Sequence, residues 1–245
     1  MSGKSKHQVS SSVASAEMPP EVRSSKRTVI FAAAIAVLMI VFIAASLVYK
    51  NQKEKALQQT AAMNQALLAS EHAPSLGKPD AKVHLVEFLD PACETCAAFY
   101  PHVKKLMAAN SDRIRLSMRH IPLHQGSEHV VRILEATRSQ GRYWETLEAV
   151  LTAQGQWTMN HRVYPEKVWP ALEALGLDLE RVRREMNSPE IAQRMDKDAA
   201  DARALGVTKT PEYFANGQPM PRFGLEELQD LVRKELRNAY GADVR

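Results

Sequence analysis

Two cysteines separated by two residues are the part of this sequence best suited to chemistry. Cys93 and Cys96 are the only cysteines among the 245 residues. They follow an apolar run that predicts a strand, and they begin a segment that predicts a helix. Positions three apart lie on one face of a helix, so the two sulfur atoms can meet. The spacing indicates a reversible dithiol–disulfide couple.

The predicted position of Cys93 at the start of a helix favours an anionic sulfur. Free backbone N–H groups and the helix dipole stabilise negative charge there, which lowers the pKa of a thiol. A thiolate attacks the disulfide of a partner, and a second thiol resolves the mixed disulfide. We therefore predict that Cys93 is the exposed attacking thiol and that Cys96 is the buried resolving thiol.

A metal site and a structural disulfide are the alternatives for this cysteine pair. Zinc prefers four ligands and the chain has no second Cys-x-x-Cys, although one of the eight histidines could complete a mixed site. A disulfide across so short a loop would stabilise the fold little through chain entropy. We predict redox chemistry and no bound metal.

The pattern of apolar residues beyond the first 80 positions predicts an α/β domain. Residues 83–89 and 114–120 are predicted strands, parallel to each other because a predicted helix at 93–109 separates them. Residues 127–205 are predicted to be helical almost throughout, with helix caps at Ser127, Asp178 and Ser188. The last part predicts a strand at 212–215, a turn at Asn216-Gly217, a returning strand at 218–220, and a final helix from about residue 225.

The amino terminus predicts a single membrane anchor. Residues 1–27 form a polar tail with five bases and two acids, and residues 28–49 contain no charge across 22 positions. As a helix that segment is about 33 Å long, enough to cross a bilayer core. The basic flank predicts a cytoplasmic amino terminus, with the rest of the chain outside the cytoplasmic (inner) membrane, in the periplasm or its equivalent. The alternative is a signal peptide cleaved near Ala44-Ala45-Ser46, which would export the same domain.

Residues 50–80 are predicted to be a stalk and linker between the anchor and the domain. The first part is rich in Gln, Ala and Lys and predicts a solvated helix, whose weak apolar stripe is a candidate contact for a homo-oligomer. Residues 73–80 contain turn-forming Pro and Gly and mark the boundary. The domain is predicted to cover residues 81–240, with an insertion at 127–205.

Charge and motif content exclude several classes of function. The net charge is +4, but without the tail 27 bases face 26 acids, so the domain itself carries only +1. This gives no compositional support for nucleic-acid binding. No Gly-rich phosphate loop is present, and we predict no cofactor because a dithiol can itself carry two electrons.

Several motifs together resemble the DsbA-like thiol–disulfide oxidoreductases, an exported branch of the thioredoxin superfamily. Besides the cysteine pair they are Pro101, Arg119-His120-Ile121-Pro122-Leu123, Gln140-Gly141-Arg142-Tyr143-Trp144, and Thr210-Pro211 followed by Phe214-Ala215-Asn216-Gly217. The resemblance covers roughly residues 81–240 and implies a thioredoxin-like fold with an inserted helical domain. It implies dithiol–disulfide exchange with thiols and disulfides of exported proteins, served by a membrane-bound or soluble redox partner.

The resemblance also assigns roles to residues outside the cysteine pair. Glu87 lies six residues before Cys93, where DsbA-like proteins place a buried acid that exchanges protons with the resolving cysteine. The alternative is a surface glutamate on an edge strand. Thr210-Pro211 matches the cis-proline loop of the family, whose backbone pairs with an extended substrate strand. The alternative is an ordinary turn proline.

Glu94 and Thr95, between the cysteines, depart from the Pro-His of the strongly oxidising members and are predicted to modulate the couple. The Glu94 charge should raise the pKa of Cys93 and make the disulfide a weaker oxidant. The resemblance places oxidase or general oxidoreductase activity first and reductase activity second. A metal-handling protein for copper or zinc and a non-catalytic binding module are the alternatives.

Overall fold

The computed structural model describes residues 26–160 and 162–241, and the predicted tail at 1–27 lies outside them apart from its last two residues. The chain divides into two units, Met1–Lys53 and Glu54–Arg245. The helices are α1 (Lys26–Leu68), α2 (Glu94–Ala109), α3 (Ser127–Thr137), α4 (Tyr143–Thr152), α5 (Gln154–Trp157), α6 (Leu179–Glu185), α7 (Pro189–Ala204) and α8 (Leu225–Tyr240). The strands are β1 (Ser75–Leu76), β2 (Val83–Leu89), β3 (Ile114–His120), β4 (Thr158–Met159), β5 (Arg162–Val163), β6 (Glu212–Ala215) and β7 (Gln218–Pro219).

The described residues of the first unit belong to the amino-terminal part of α1. Within the described residues, Val29–Leu68 of this helix is the one segment long and apolar enough to cross a bilayer, with a mean hydropathy of 2.9 in its most apolar window. Its large apolar side chains, from Val29 to Tyr49, are exposed. Length and composition therefore fit the predicted anchor, and its insertion and orientation remain predictions.

A mixed sheet forms the centre of the second unit. Its strand order is β1-β3-β2-β6-β7, with β2 and β3 parallel and the other neighbours antiparallel. The predicted bounds of β2 and β3 and their parallel pairing are confirmed. β2 is buried on both faces, which explains why its sequence is a nearly continuous apolar run.

The two faces of β2 pack against different helices. Val83 and Leu85 lie in a cluster with side chains of α2 and α8. Val86 and Phe88 point to the opposite face and join a cluster with the end of α1 and with α7. Side chains alternate along a strand, so Glu87 shares the face of Leu85 and is directed toward α2. The alternation thus directs one acid toward the helix that begins after Cys93.

The insertion between β3 and β6 is mainly helical but not wholly so. Besides α3–α7 it contains three 3-10 turns, at Arg138–Gln140, Pro165–Lys167 and Trp169–Leu175. It also contains a small antiparallel pair, β4 with β5, which the sequence prediction of a helical segment missed. Two-residue strands are too short to produce a detectable alternation of apolar and polar residues.

Two of the three predicted helix caps are confirmed. The side chains of Asp178 and Ser188 accept hydrogen bonds from backbone N–H groups of α6 and α7. Ser127 is not a cap, because α3 is preceded by Gly126 at φ 85°. The hydroxyl of Ser127 instead donates to the buried carboxylate of Asp90. The Ser127 hydroxyl therefore makes a tertiary hydrogen bond to Asp90 instead of the local helix cap that the sequence suggests.

The predicted solvated stalk at 50–80 is partly packed onto the domain. Leu68 and Ala61 are buried, and the Asn64 amide donates to the carbonyl of Gly217 at 3.0 Å. A Cβ on Gly217, which has φ 79°, would lie 2.0 Å from the Ala61 carbonyl oxygen, so glycine permits this approach. The carboxyl-terminal part of α1 contacts the domain largely through small residues and backbone atoms, which explains why the apolar stripe of the predicted stalk is weak. In addition, β1 lies within the predicted linker.

A buried charge cluster joins the end of α1, β3 and α7. The guanidinium of Arg119 is fully buried and pairs with Asp198, and with Asp201 at 2.6 Å. His72, just after α1, contacts Asp198 at 2.7 Å. Burial alone would raise the pKa of Asp198, but the hydrogen bond from His72 and the charge of Arg119 hold it below its usual value. The cluster fixes the insertion and the linker to the sheet.

Candidate active site

The cysteines lie where β2 ends and α2 begins. Cys93 is the residue before α2, in extended conformation, and its N–H donates to the carbonyl of Asp90 at 3.0 Å. Cys96 lies one turn later, on the face of α2 that packs against the insertion. Neither cysteine is joined in a disulfide.

Cys93 is less exposed than the sequence predicts. Its side chain is only 7% exposed, whereas Cys96 is fully buried. Apolar side chains of the insertion pack in one cluster with both cysteines. The carbonyl oxygen of Thr210 lies 3.3 Å from the Cys93 sulfur. Cys93 is therefore the more exposed of the two cysteines, as predicted, but only slightly.

The surroundings of Cys93 lower the pKa of its thiol to about 5. The largest cause is a hydrogen bond from the Cys96 thiol, and burial acts in the opposite direction. Hydrogen bonds from Thr210 and from the backbone N–H groups of Cys96 and Thr95 lower the pKa further. Glu94 points to solvent and is not among these groups, so its predicted influence on the couple remains a prediction.

The surroundings of Cys96 raise the pKa of its thiol. Burial raises the pKa of its thiol far above the usual value, and the hydrogen bond to Cys93 and the charges of Glu87 and Cys93 raise it further. At neutral pH the pair therefore holds one thiolate and one thiol.

Glu87 is buried beneath the cysteines, as the family resemblance implies. Its side chain has no exposure, and burial raises its pKa to about 8. The neighbouring Tyr213 side chain lowers this pKa, while the Cys93 charge raises it. Among the described residues, neither carboxylate oxygen of Glu87 has a partner at good hydrogen-bond geometry, and neither has the Tyr213 hydroxyl. The carboxyl can therefore change its protonation near neutral pH.

The Thr210–Pro211 peptide bond is cis. The loop leads directly into β6, which pairs antiparallel with β2. This pairing carries Thr210 to the Cys93 sulfur, although the two residues are far apart in the chain. Lys209, the residue before Thr210, is exposed, and its ammonium lies 5.6 Å from the ring centroid of Phe223.

Asp90 is a site residue that the sequence reasoning missed. It is fully buried, and its carboxylate accepts from the backbone N–H of Ala92 at 2.9 Å and of Leu123 at 2.7 Å. It also contacts the His124 ring at 2.7 Å. One carboxylate thus ties the cysteine turn to the loop after β3. An acid at the carboxyl end of a buried strand, three residues before Cys93, was the available signal.

Gln154 is a second missed residue, from the insertion. Its side chain is 6% exposed, and its amide nitrogen donates to the carbonyls of Pro91 at 2.8 Å and Cys93 at 3.0 Å. These bonds fasten the cysteine turn to α5. No sequence signal pointed to this glutamine, because the contact depends on the tertiary packing of the insertion.

The metal alternative gains no support from the geometry. The portions of the chain that the structure describes contain no group of three or more His, Cys, Asp or Glu side chains placed to hold an ion. A two-thiol pair without further ligands falls short of the four that zinc prefers.

Comparison with known proteins agrees with this architecture. Residues 69–234 match the thioredoxin family. The chain belongs to that family. A thioredoxin-like oxidoreductase from Silicibacter pomeroyi DSS-3 is 30% identical, with a TM-score of 0.60 over 69% of this chain and 94% of that one. The thiol-disulfide exchange protein alpha-DsbA2 from Wolbachia pipientis shares the fold at 20% identity and a TM-score of 0.63, over 75% of this chain and 97% of that one. The predicted DsbA-like fold, a thioredoxin domain with an insertion, is confirmed.

Curated relatives of this thioredoxin-family chain are much longer proteins. The Na(+)/H(+) antiporter NhaA from Herminiimonas arsenicoxydans is 34% identical over 142 residues, which is 58% of this chain and 22% of the antiporter. The chain therefore spans about a fifth of that relative. The match establishes kinship of one region and says nothing about the remaining part of the antiporter.

Proposed function

We propose that this chain is a protein thiol–disulfide oxidoreductase that acts on exported proteins through Cys93 and Cys96. The observation that carries the proposal is structural. Cys93 lies at the start of α2, where the Cys96 thiol and backbone N–H groups reach its sulfur, while Cys96 is fully buried. These surroundings lower the pKa of Cys93 to about 5 and raise that of Cys96. Attack needs a thiolate, while resolution needs a thiol that stays protonated until its turn. A structural cysteine pair needs no such difference.

In the reducing direction, the Cys93 thiolate attacks one sulfur of a substrate disulfide. A bond forms between Cys93 and that sulfur, and the other substrate sulfur leaves as a thiolate. Cys96 then loses its proton and attacks Cys93, which forms the Cys93–Cys96 disulfide and releases the second substrate thiolate. The substrate gains two electrons and the dithiol loses two. Substrate oxidation is the reverse sequence.

Glu87 is the proton acceptor that we assign to the resolving step. Its carboxyl pKa near 8 is partly due to the negative charge on Cys93. That charge disappears when Cys93 enters the mixed disulfide, so the pKa of Glu87 falls at this point. The carboxylate becomes more populated at the moment when Cys96 must give up its proton.

Thr210 and Pro211 would dock the substrate. The Thr210 carbonyl lies 3.3 Å from the Cys93 sulfur, so a peptide paired with this backbone would bring its own cysteine to the attacking atom. Extended peptides bind exposed backbone in this manner, and neighbouring side chains then add selectivity. Glu94 and Thr95 lie between the two cysteines and would modulate the couple.

The cellular setting of this proposal follows from the amino terminus. The apolar part of α1 would anchor the chain in the cytoplasmic membrane with the catalytic domain outside. Exported proteins with free thiols or non-native disulfides would be the substrates, and a membrane-bound or soluble redox protein would restore the dithiol or disulfide. Both directions use the same chemistry.

Turnover with a disulfide-containing peptide tests the proposal. The full chain in detergent should reduce the peptide with a dithiol as electron source, and its oxidised form should oxidise the reduced peptide. Cys93→Ser should abolish both activities, whereas Cys96→Ser should accumulate a mixed disulfide at Cys93. Wild-type protein that binds the peptide and turns it over in neither direction would favour the binding module.

A further inference from the structure

Three buried oxygen atoms beneath the cysteines lack hydrogen-bond partners among the described residues. They are both carboxylate oxygens of Glu87 and the hydroxyl of Tyr213. Both side chains have no exposure. Buried polar groups are nearly always paired, and one left unpaired costs about 1–3 kcal/mol. Three unpaired oxygen atoms beside a reactive dithiol indicate that these side chains have a role in its chemistry.

The strand register brings these atoms together. Glu87 of β2 lies directly opposite Tyr213 of β6 in an antiparallel pair. Opposite residues project to the same face with Cβ atoms about 5 Å apart. The Tyr213 ring stacks on Phe99 of α2, with centroids 6.1 Å apart and an interplanar angle of 18°. This stacking confines the hydroxyl to the buried space beside the carboxyl.

On the basis of the proposed function, we propose that Tyr213 is a positioning residue for the proton step of resolution. Within the described part of the resting structure the two groups are unpaired. Once Glu87 ionises, the Tyr213 hydroxyl donates a hydrogen bond to the carboxylate and holds it ready for the proton of Cys96. In the step, the Cys96 S–H bond breaks and the proton passes to Glu87. The freed electron pair of Cys96 forms the bond to Cys93 as the bond from Cys93 to the substrate breaks. Tyr213 keeps its own proton.

The groups that face Glu87 agree with this arrangement. They are Tyr213 from β6, Cys93 just before α2, and Cys96 and Tyr100 within α2. On the other side, β3 places Met118 opposite Glu87. Burial and the Cys93 charge raise the pKa of Glu87, and the neighbouring Tyr213 side chain is the one of these influences that lowers it. Burial raises the pKa of Tyr213 well above its usual value, so the hydroxyl remains a donor.

The test is Tyr213→Phe, which keeps the ring and its stacking and removes only the hydroxyl. Cys93 of the full chain is converted to a mixed disulfide with glutathione, and the release of glutathione by Cys96 is followed against pH. Loss of a hydrogen bond to the ionised carboxyl should move the midpoint of this profile upward by about one pH unit or more. Glu87→Gln should remove the transition.

Tyr143→Phe is the matched control. Tyr143 is also buried, but its hydroxyl contacts His120 at 2.7 Å and is not among the groups that shift the pKa of Glu87. Its profile should keep the wild-type midpoint. A Tyr213→Phe midpoint equal to that of wild type would overturn the proposal.

Infrared titration of the resting dithiol separates this proposal from the proposed function. The carboxyl band assigned by Glu87→Gln should titrate at higher pH in Tyr213→Phe, even in a protein without exchange activity. If this band shifts while wild type exchanges no thiols, the function fails and the hydrogen bond stands. If exchange proceeds and the band does not shift, Tyr213 has no such role. Should the variant fail to fold, the ring C–O band of isotopically labelled Tyr213 in wild type must respond as Glu87 titrates, and a constant band would refute the contact.

Discussion

At the scale of single residues, the two sulfur atoms are made unequal by their surroundings. Cys93 receives hydrogen bonds from Cys96, from Thr210 and from the start of α2, whereas Cys96 lies among apolar side chains above Glu87. The hydrogen bond between the thiols therefore acts on both, since it stabilises the thiolate of Cys93 and the proton of Cys96. Reactivity here depends on the pair rather than on either residue.

Replacing Cys96 with alanine should accordingly raise the pKa of Cys93. The variant loses the largest stabilising hydrogen bond to the thiolate, and the expected rise is about one to two units. The ultraviolet absorbance of the thiolate, followed against pH, measures this value. Cys96→Ser keeps a donor and should give a smaller rise, so equal values for the two variants would contradict the assignment.

Glu87 should make the protein less stable as pH rises. Its pKa is raised from 4.5 to about 8 in the folded state, so the folded protein binds more protons than the unfolded chain between these values. The free energy of unfolding therefore falls across this window, by a few kcal/mol from this group. Denaturant titrations of wild type and Glu87→Gln measure the difference.

Relative to Glu87→Gln, the wild-type protein should lose free energy of unfolding between pH 4.5 and 8, and the exposed Glu166→Gln should follow the wild-type curve. Parallel curves for wild type and Glu87→Gln would mean that this carboxyl is not buried in the neutral form.

At the scale of elements, the insertion does more than cover the sheet. α5 holds the cysteine turn through Gln154, and α7 holds the end of β3 through the carboxylates that pair with Arg119. Both contacts lie at the carboxyl ends of the parallel strands: the first binds the turn after β2, and the second binds Arg119 near the end of β3. The insertion thereby fixes the backbone on which the reactive sulfur is presented.

Gln154→Ala should loosen the cysteine turn. Two buried carbonyls lose their donor, which should lower the free energy of unfolding by about 1–3 kcal/mol. Amide hydrogen exchange of residues 92–97 should become faster than in wild type. Gln156→Ala, at an exposed position of the same helix, should change stability by less than about 0.5 kcal/mol. Unchanged exchange in Gln154→Ala would contradict the role of this contact.

Asp198→Asn should destabilise the domain by about 3 kcal/mol or more, because it leaves the buried Arg119 without one of its charge partners. The pKa of Asp198 is held below 3.8, so its contribution is complete above that value and is lost as pH falls through the folded-state pKa. The exposed Asp196→Asn on the same helix should leave stability unchanged. Thermal unfolding measures both variants, and equal midpoints would refute the ion pair.

At the scale of the whole molecule, the sequence predicted the sheet and the placement of the cysteines because those features leave strong local signals. β2 is a nearly continuous apolar run, and a Cys-x-x-Cys motif at the start of a helix can be recognised from the sequence alone. Glu87 and Thr210 needed the family resemblance, because only the fold brings them to the sulfur atoms.

The residues that the sequence did not reveal act through tertiary contacts. Gln154 and Asp90 bind backbone groups, which carry no side-chain pattern, and Tyr213 matters only through its strand partner. Packing of the stalk was missed for the same reason, since Ala61 and Gly217 meet through backbone. Local periodicity predicts elements, and pairs of distant residues need the fold.

The central claim is that Cys93 and Cys96 form a reversible two-electron couple, and equilibration of the full chain with glutathione redox buffers tests it most directly. The fraction of oxidised protein, read by alkylation and mass spectrometry, should follow a single two-electron transition. The transition should lie at a less oxidising potential than in Pro-His members of the family. Cys93→Ser should show no intramolecular disulfide at any ratio. A wild-type pair that stays reduced, or stays oxidised, across the whole range of buffers would contradict the account.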